Sequence, residues 1–140
     1  MRGVICMAQN NSTTDYIRLA YLQRLSLRVT NPELPYALVT DETSAKQLTT
    51  KQREQFDHVI ELPFDFAADQ EWKQANDWQL GMLSPFRETI KVESDLLFTH
   101  DINHWWPVLS KREVVLALGC RNFQNQKSTS RAYRKLFDLR

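Results

Sequence analysis

The stretch Gly3-Val4-Ile5-Cys6-Met7-Ala8 is an unbroken apolar run, followed at once by the polar turn Gln9-Asn10-Asn11-Ser12-Thr13-Thr14. A strand covered on one face alternates apolar and polar residues, whereas a strand covered on both faces does not. The run therefore predicts a central strand of a parallel sheet, which needs helical crossovers on its faces. Ile17, Ala20, Tyr21, Leu25 and Val29 recur downstream at helical spacing with Arg18, Arg24 and Arg28 between them, and Asn31-Pro32 stops that helix after Thr30. Pro35-Tyr36-Ala37-Leu38-Val39-Thr40 reads as a second strand with Asp41 at its exit. A polar helix over 44–56 leads to a third strand, His58-Val59-Ile60-Glu61-Leu62, closed by Pro63. Asp69 is placed to cap a helix carrying Trp72, Ala75, Trp78, Gln79 and Met82, before Ser84-Pro85-Phe86 turns into a fourth strand. Beyond it, residues 102–109 read as a short helix interrupted by Pro107, 113–118 as a Val- and Leu-rich strand, and 128–139 as a basic helix with the stripe Tyr133, Leu136 and Phe137. Alternating strands and helices without a repeat predict one α/β domain over 1–140, a Rossmann-like, mostly parallel sheet with helices on both faces.

Composition narrows the class of function. At 42% hydrophobic and 11% aromatic, 140 residues are enough to bury a core. Eighteen basic and 17 acidic residues leave a net charge of +1, which supplies no field for nucleic acid or an anionic membrane. Phosphate recognition, if present, must be local. The two cysteines, Cys6 and Cys120, sit in apolar runs, as suits reduced thiols in a cytoplasmic protein. The apolar run of 4–8 is too short for a signal peptide or a membrane span, which takes roughly 20 apolar residues.

The fourth strand carries the chemistry. In Thr89-Ile90-Lys91-Val92-Glu93-Ser94-Asp95-Leu96-Leu97-Phe98 the alternation of an extended chain puts Lys91, Glu93 and Asp95 on one face and Ile90, Val92 and Leu96 on the other. Two carboxylates at the carboxyl end of a parallel strand can hold a divalent cation through hard oxygen ligands and leave coordination positions for phosphate. An acidic turn closing a buried strand satisfies the same pattern. Lys91 either offsets the acids in an ion pair or approaches phosphate.

The array Val92-Glu93-Ser94-Asp95-Leu96-Leu97-Phe98-Thr99-His100-Asp101-Ile102-Asn103-His104-Trp105-Trp106 resembles the region of the Asp-x-Asp motif in type A nucleotide-sugar glycosyltransferases, above all the glycogenin-like group. The stretch from Gly3 to Asp41 resembles that family's opening strand, base-binding loop and first helix, through Ala8-Gln9-Asn10, Tyr16, Ser26-Leu27 and Thr40-Asp41. In overall look the chain is similar to glycosyltransferase-like proteins encoded by bacteriophages, which would act in the host cytoplasm. The resemblance implies a type A glycosyltransferase fold incomplete at its C-terminus, a nucleotide-sugar donor with UDP-sugar first, and Mn²⁺ or Mg²⁺. It implies donor contacts at Ala8, Gln9, Asn10, Tyr16, Asp41, Lys91 and Glu93, and metal ligation by Glu93 and Asp95. Glu93 departs from the family's usual Asp by one methylene. No residue is singled out for the bond-breaking step, and the acceptor is unspecified. Because the family's sheet continues past the equivalent of Arg140, the stripe on the final helix is expected to pair with a second copy or a partner chain.

Two other classes share these residues. One is a non-catalytic nucleotide-binding or structural module of the same fold. The other is a metal-dependent hydrolase built on Glu93, Asp95 and either His100 or His104, which stand four residues apart.

Overall fold

The computed structural model describes residues 1–115 and 124–126. The chain divides into two units, 1–104 and 105–140. In the first unit four strands, β1 (Arg2–Met7), β2 (Tyr36–Thr40), β3 (His58–Glu61) and β4 (Glu88–Val92), form one sheet in the order β3-β2-β1-β4, and every pair is parallel. The chain is therefore α/β, and the unbroken apolar run is one of its two inner strands. All five residues of β2 are buried, whereas β3 and β4, each with one strand neighbour among the described residues, are half-open.

Side-chain alternation assigns the two faces. Val4, Cys6, Tyr36 and Leu38 point to the face covered by α1 (Tyr16–Thr30), whose Gln23 accepts a hydrogen bond from the Tyr36 hydroxyl and whose Arg24 lies 5.9 Å over the Tyr36 ring. Ile5, Ala37 and Val39 point to the other face and form a core with Phe86 and with Leu80 of α4 (Leu80–Leu83), flanked by Met7, Ile60 and Leu83. Helices thus lie on both faces. On this second face Gly3 faces the Phe86 ring, where a Cβ would stand 2.5 Å from two of the ring carbons. Glycine is what lets Phe86 close over the strand.

The first helix is rotated from its expected setting. Asp15 caps it, its Oδ1 accepting from Arg18 N at 3.0 Å, and its buried face is Ile17, Ala20, Gln23, Arg24 and Leu27. Val29 is exposed instead. Arg24 goes inside because its guanidinium donates to Gln55 O at 2.8 Å, Leu34 O at 3.0 Å and Asp57 Oδ2 at 2.9 Å. A buried cation with each of its three nitrogens donating a hydrogen bond outcompetes an exposed valine for that face.

Three further expectations are corrected. The helix predicted over 44–56 is two short ones, α2 (Glu42–Ala45) and α3 (Thr50–Arg53), because Thr49 and Gln52 form a reciprocal capping box that starts a new helix. Asp69 is not the cap of the next helix. A 3₁₀ segment begins at Lys73 with Trp72 at its cap and runs to Gln79, leaving Trp72, Trp78 and Met82 exposed while Asn76, Gln79 and Leu80 turn inward. The acidic strand stops at Val92, so Asp95 lies in a turn and Leu96 is exposed.

A 3₁₀ turn at Asn103–Trp105 follows. In the second unit, α5 (Trp106–Leu109) has Pro107 in its first turn, where the missing N–H costs nothing, so Pro107 opens the helix rather than breaking it. Of the strand expected over 113–118, residues 113–115 carry no regular structure. The remainder of that strand, Cys120 and the C-terminal helix with its stripe lie outside the described residues.

Candidate functional site

Parallel strands put all their carboxyl ends at one edge, so Ala8-Gln9-Asn10 after β1, Asp41 after β2 and Glu93-Ser94-Asp95 after β4 leave the sheet on the same side. Sequence order reverses beside β1, with β2 on one flank and β4 on the other, and such a reversal opens a crevice above the strand ends. A cleft of about 140 Å³ lies there. Gln9 and Tyr16 line it together with Glu93, Ser94 and Asp95, and Glu71 to Gln74 with Asp77 close it.

The structure therefore brings Gln9, Tyr16, Glu93 and Asp95 together. It does not bring in Asn10 or Asp41. The Asn10 backbone N–H donates to Ser44 Oγ at 2.8 Å, its Nδ2 donates to Gln47 Oε1 at 2.7 Å and Asp15 Oδ1 at 3.1 Å, and its Oδ1 accepts from Ile17 N at 2.9 Å. It ties the loop to α1 and α2. Asp41 caps α2, accepting from the Ser44 backbone at 2.9 Å and its hydroxyl at 2.7 Å. Ala8 is buried, with its N–H on Val39 O.

Gln9 is held by a network that sequence reasoning missed. Its Nε2 donates to Asp65 Oδ2 at 3.2 Å, and its Oε1 accepts from Asn76 Nδ2 at 2.7 Å. Asn76 also donates to Asp65 Oδ1 at 2.8 Å and accepts from Phe66 N at 2.9 Å and Gln79 Nε2 at 3.2 Å. Gln9, Asn76 and Gln79 are all buried. Burial pushes the Asp65 carboxyl up, but the hydrogen bonds from Asn76, the Ala67 N–H and Gln9, with Lys73 nearby, outweigh it and hold the group below its ordinary value. The signal was present: Asn76 and Gln79 stand three apart on either side of Trp78, one polar face of a helical turn.

Lys91 is the second feature. It points to the Leu80 face of the sheet, as its register with Ile5 requires, and its Nζ donates to Asp77 Oδ2 at 2.9 Å and to Glu93 Oε1. Burial lowers the affinity of Lys91 for its proton, but the two carboxylates more than compensate and hold its pKa above the usual lysine value. Asp95, by contrast, makes no hydrogen bond or ion pair with the described residues. Lys73, which also lines the cleft, donates to Ala67 O at 2.7 Å and Ala68 O at 3.1 Å.

For a divalent cation the donors are hard carboxylate oxygens from Asp95 and Glu93. Mg²⁺ and Mn²⁺ are commonly held by one or two protein carboxylates, with phosphates and waters filling the shell, so this donor set suits them. Glu93 must first leave Lys91. Among the described residues no three His, Cys, Asp or Glu side chains converge as a metal-holding group, and His100 and His104 contribute to none. Cys6 is buried, and burial pushes its thiol up to about 12, where it is inert. No helix among the described residues is long and apolar enough to cross a membrane. A comparison with known protein families gives no match, and a comparison with curated proteins gives none either.

Proposed function

We propose that the cleft binds a nucleoside-diphosphate sugar, UDP-sugar first, together with Mn²⁺ or Mg²⁺, and that the chain is the donor-binding part of a type A glycosyltransferase of the glycogenin-like kind. One observation carries this reading. Residues from two distant stretches that resemble the family, Gln9 and Tyr16 from one and Glu93 and Asp95 from the other, line a single cleft at the edge where parallel sheets take nucleotides. Tyr16 stacks on the base, and the Nε2 hydrogen of Gln9 not used by Asp65 meets the uracil or ribose edge. Asp95 is the direct ligand of the cation, and Glu93 reaches the ion or its waters. The cation supplies charge neutralisation for the diphosphate and for the departing nucleoside diphosphate.

Titration calorimetry with UDP and Mn²⁺ tests it. Asp95→Asn keeps the shape of the side chain and removes one charge, so it should abolish metal-dependent UDP binding while the protein stays folded. Parent-like binding by that variant would remove the assignment. A second reading, a non-catalytic nucleotide-binding module of the same fold, is favoured by the Lys91–Glu93 pair, which occupies a carboxylate that turnover needs. UDP binding without release or transfer of sugar from UDP-sugar would select it.

A further inference from the structure

Among the described residues, Lys91 is the cation that joins two of the acids lining the cleft. Its ammonium spans Asp77, on the 3₁₀ segment above the sheet, and Glu93, two residues further along its own strand. We propose that Lys91 is a resident counter-ion that competes with the divalent cation for Glu93, with Asp77 as the anchor that keeps it in place after Glu93 is surrendered. The inference rests on the reading of Glu93 and Asp95 as metal ligands and adds a gate to it.

Charge and reach both support the exchange. Asp77 and Glu93 together carry two negative charges against the single positive charge of Lys91, so the lysine can stay paired with Asp77 when Glu93 turns to the ion. An ammonium has three donors on a flexible stem, so losing Glu93 does not strand it. The side chain of Lys91 is 38% exposed, which lets water take over the freed donor at little desolvation cost. Asp95 needs no such release, because it has no partner to leave among the described residues. Metal entry therefore starts at Asp95 and is completed when Glu93 changes partners. Asp77 decides how easily that happens: the stronger its hold on Lys91, the weaker the lysine's claim on Glu93.

The two anchors predict opposite effects. A unit charge about 5 Å from a divalent ion in an aqueous surrounding shifts that ion's binding by about tenfold. Lys91→Met, which keeps the apolar stem, should bind Mn²⁺ alone about tenfold more tightly than the parent. Asp77→Asn removes a negative charge and drives Lys91 onto Glu93, so it should bind Mn²⁺ more weakly. The experiment follows the loss of the free-Mn²⁺ paramagnetic resonance signal on titrating the full chain and both variants, with and without UDP, after circular dichroism confirms that each is folded. Opposite shifts in the two variants support the gate, since a general loss of structure would weaken both. Unchanged or weaker Mn²⁺ binding in Lys91→Met, with UDP and Mn²⁺ still bound by the parent, overturns the gate and leaves the nucleotide reading standing. Failure of the parent to bind Mn²⁺ with or without UDP overturns both.

Discussion

Replacing Asn76 by Ala removes the centre of the network that fixes Gln9, and its cost can be worked bond by bond. The Phe66 N–H belongs to an exposed residue, and water can take the place of the lost acceptor. Asp65 keeps Gln9 and the Ala67 N–H. Two buried groups each lose a partner that water cannot replace. Gln9 Oε1 loses its Asn76 donor inside a residue only 2% exposed. Gln79 Nε2 is left with Phe64 O alone, on a side chain whose Oε1 already has no partner among the described residues. A buried polar group without a partner costs about 1–3 kcal/mol, so the substitution should cost about 3 kcal/mol, a large share of the roughly 5–15 kcal/mol that holds a domain folded. Urea unfolding followed by tryptophan fluorescence reads this as a midpoint lowered by about 2 M for a slope of about 1.5 kcal/mol/M. Asn76→Asp should be at least as damaging despite its matching shape, because it sets a second carboxylate against Asp65. A loss below about 0.5 kcal/mol for the Ala variant would show that the network does not hold the segment, and the account of Gln9 would fall with it.

Other outcomes follow from packing and charge. Gly3→Ala should cost about 2 kcal/mol through its collision with Phe86, and Gly3→Ala with Phe86→Leu should recover part of that, so additive losses in a double-mutant cycle would contradict the contact. Arg24→Met should cost about 3 kcal/mol in thermal or urea unfolding because it strands Leu34 O and leaves Asp57 without its cation. Arg24→Lys should not rescue it, since an ammonium cannot reproduce the fork. Asp65, held below its ordinary value of 3.8, contributes stability that is fully present above that value and is lost as pH falls through its lower folded value. In acid titrations of stability Asp65→Asn should therefore flatten the fall below about pH 4, and an unchanged acid limb would show that Asp65 is not part of it.

The strand skeleton was legible because burial on both faces leaves an unmistakable mark: the runs at 3–8 and 35–40 match the two inner strands to within a residue at each end. The carboxyl-edge position of Gln9 and Glu93 followed from that skeleton alone. The helices were harder. Hydropathy assigns Val29 inward and Arg24 outward, and it assigns Trp78 inward and Asn76 outward, yet each pair is reversed. In both cases the buried group satisfies backbone atoms of a neighbouring loop, Leu34 and Gln55 for Arg24 and Phe66 for Asn76. Those partners lie ten or more residues away, where local periodicity carries no information about them. The partnership of Lys91 with Glu93 was readable from their spacing along an extended chain, whereas Asp77 was not, because it arrives from another element.

The position of β4 also shapes how the chain assembles. Arg2 pairs with Glu88 across 86 residues of sequence, whereas β1 meets β2 after a single helix. Closing the longer loop costs more chain entropy before any contact rewards it, so β1, β2 and β3 are expected to condense first and β4 to dock late. The cleft exists only once that last strand is seated. A ligand held between the β1 and β4 exits grips a contact absent from the folding transition state, so it should lengthen the native lifetime while leaving the refolding rate nearly unchanged. Stopped-flow refolding and unfolding with UDP and Mn²⁺ measures the two arms separately, and an accelerated refolding arm would place β4 docking early instead. For this topology, binding is an interaction that delays departure rather than one that hastens arrival.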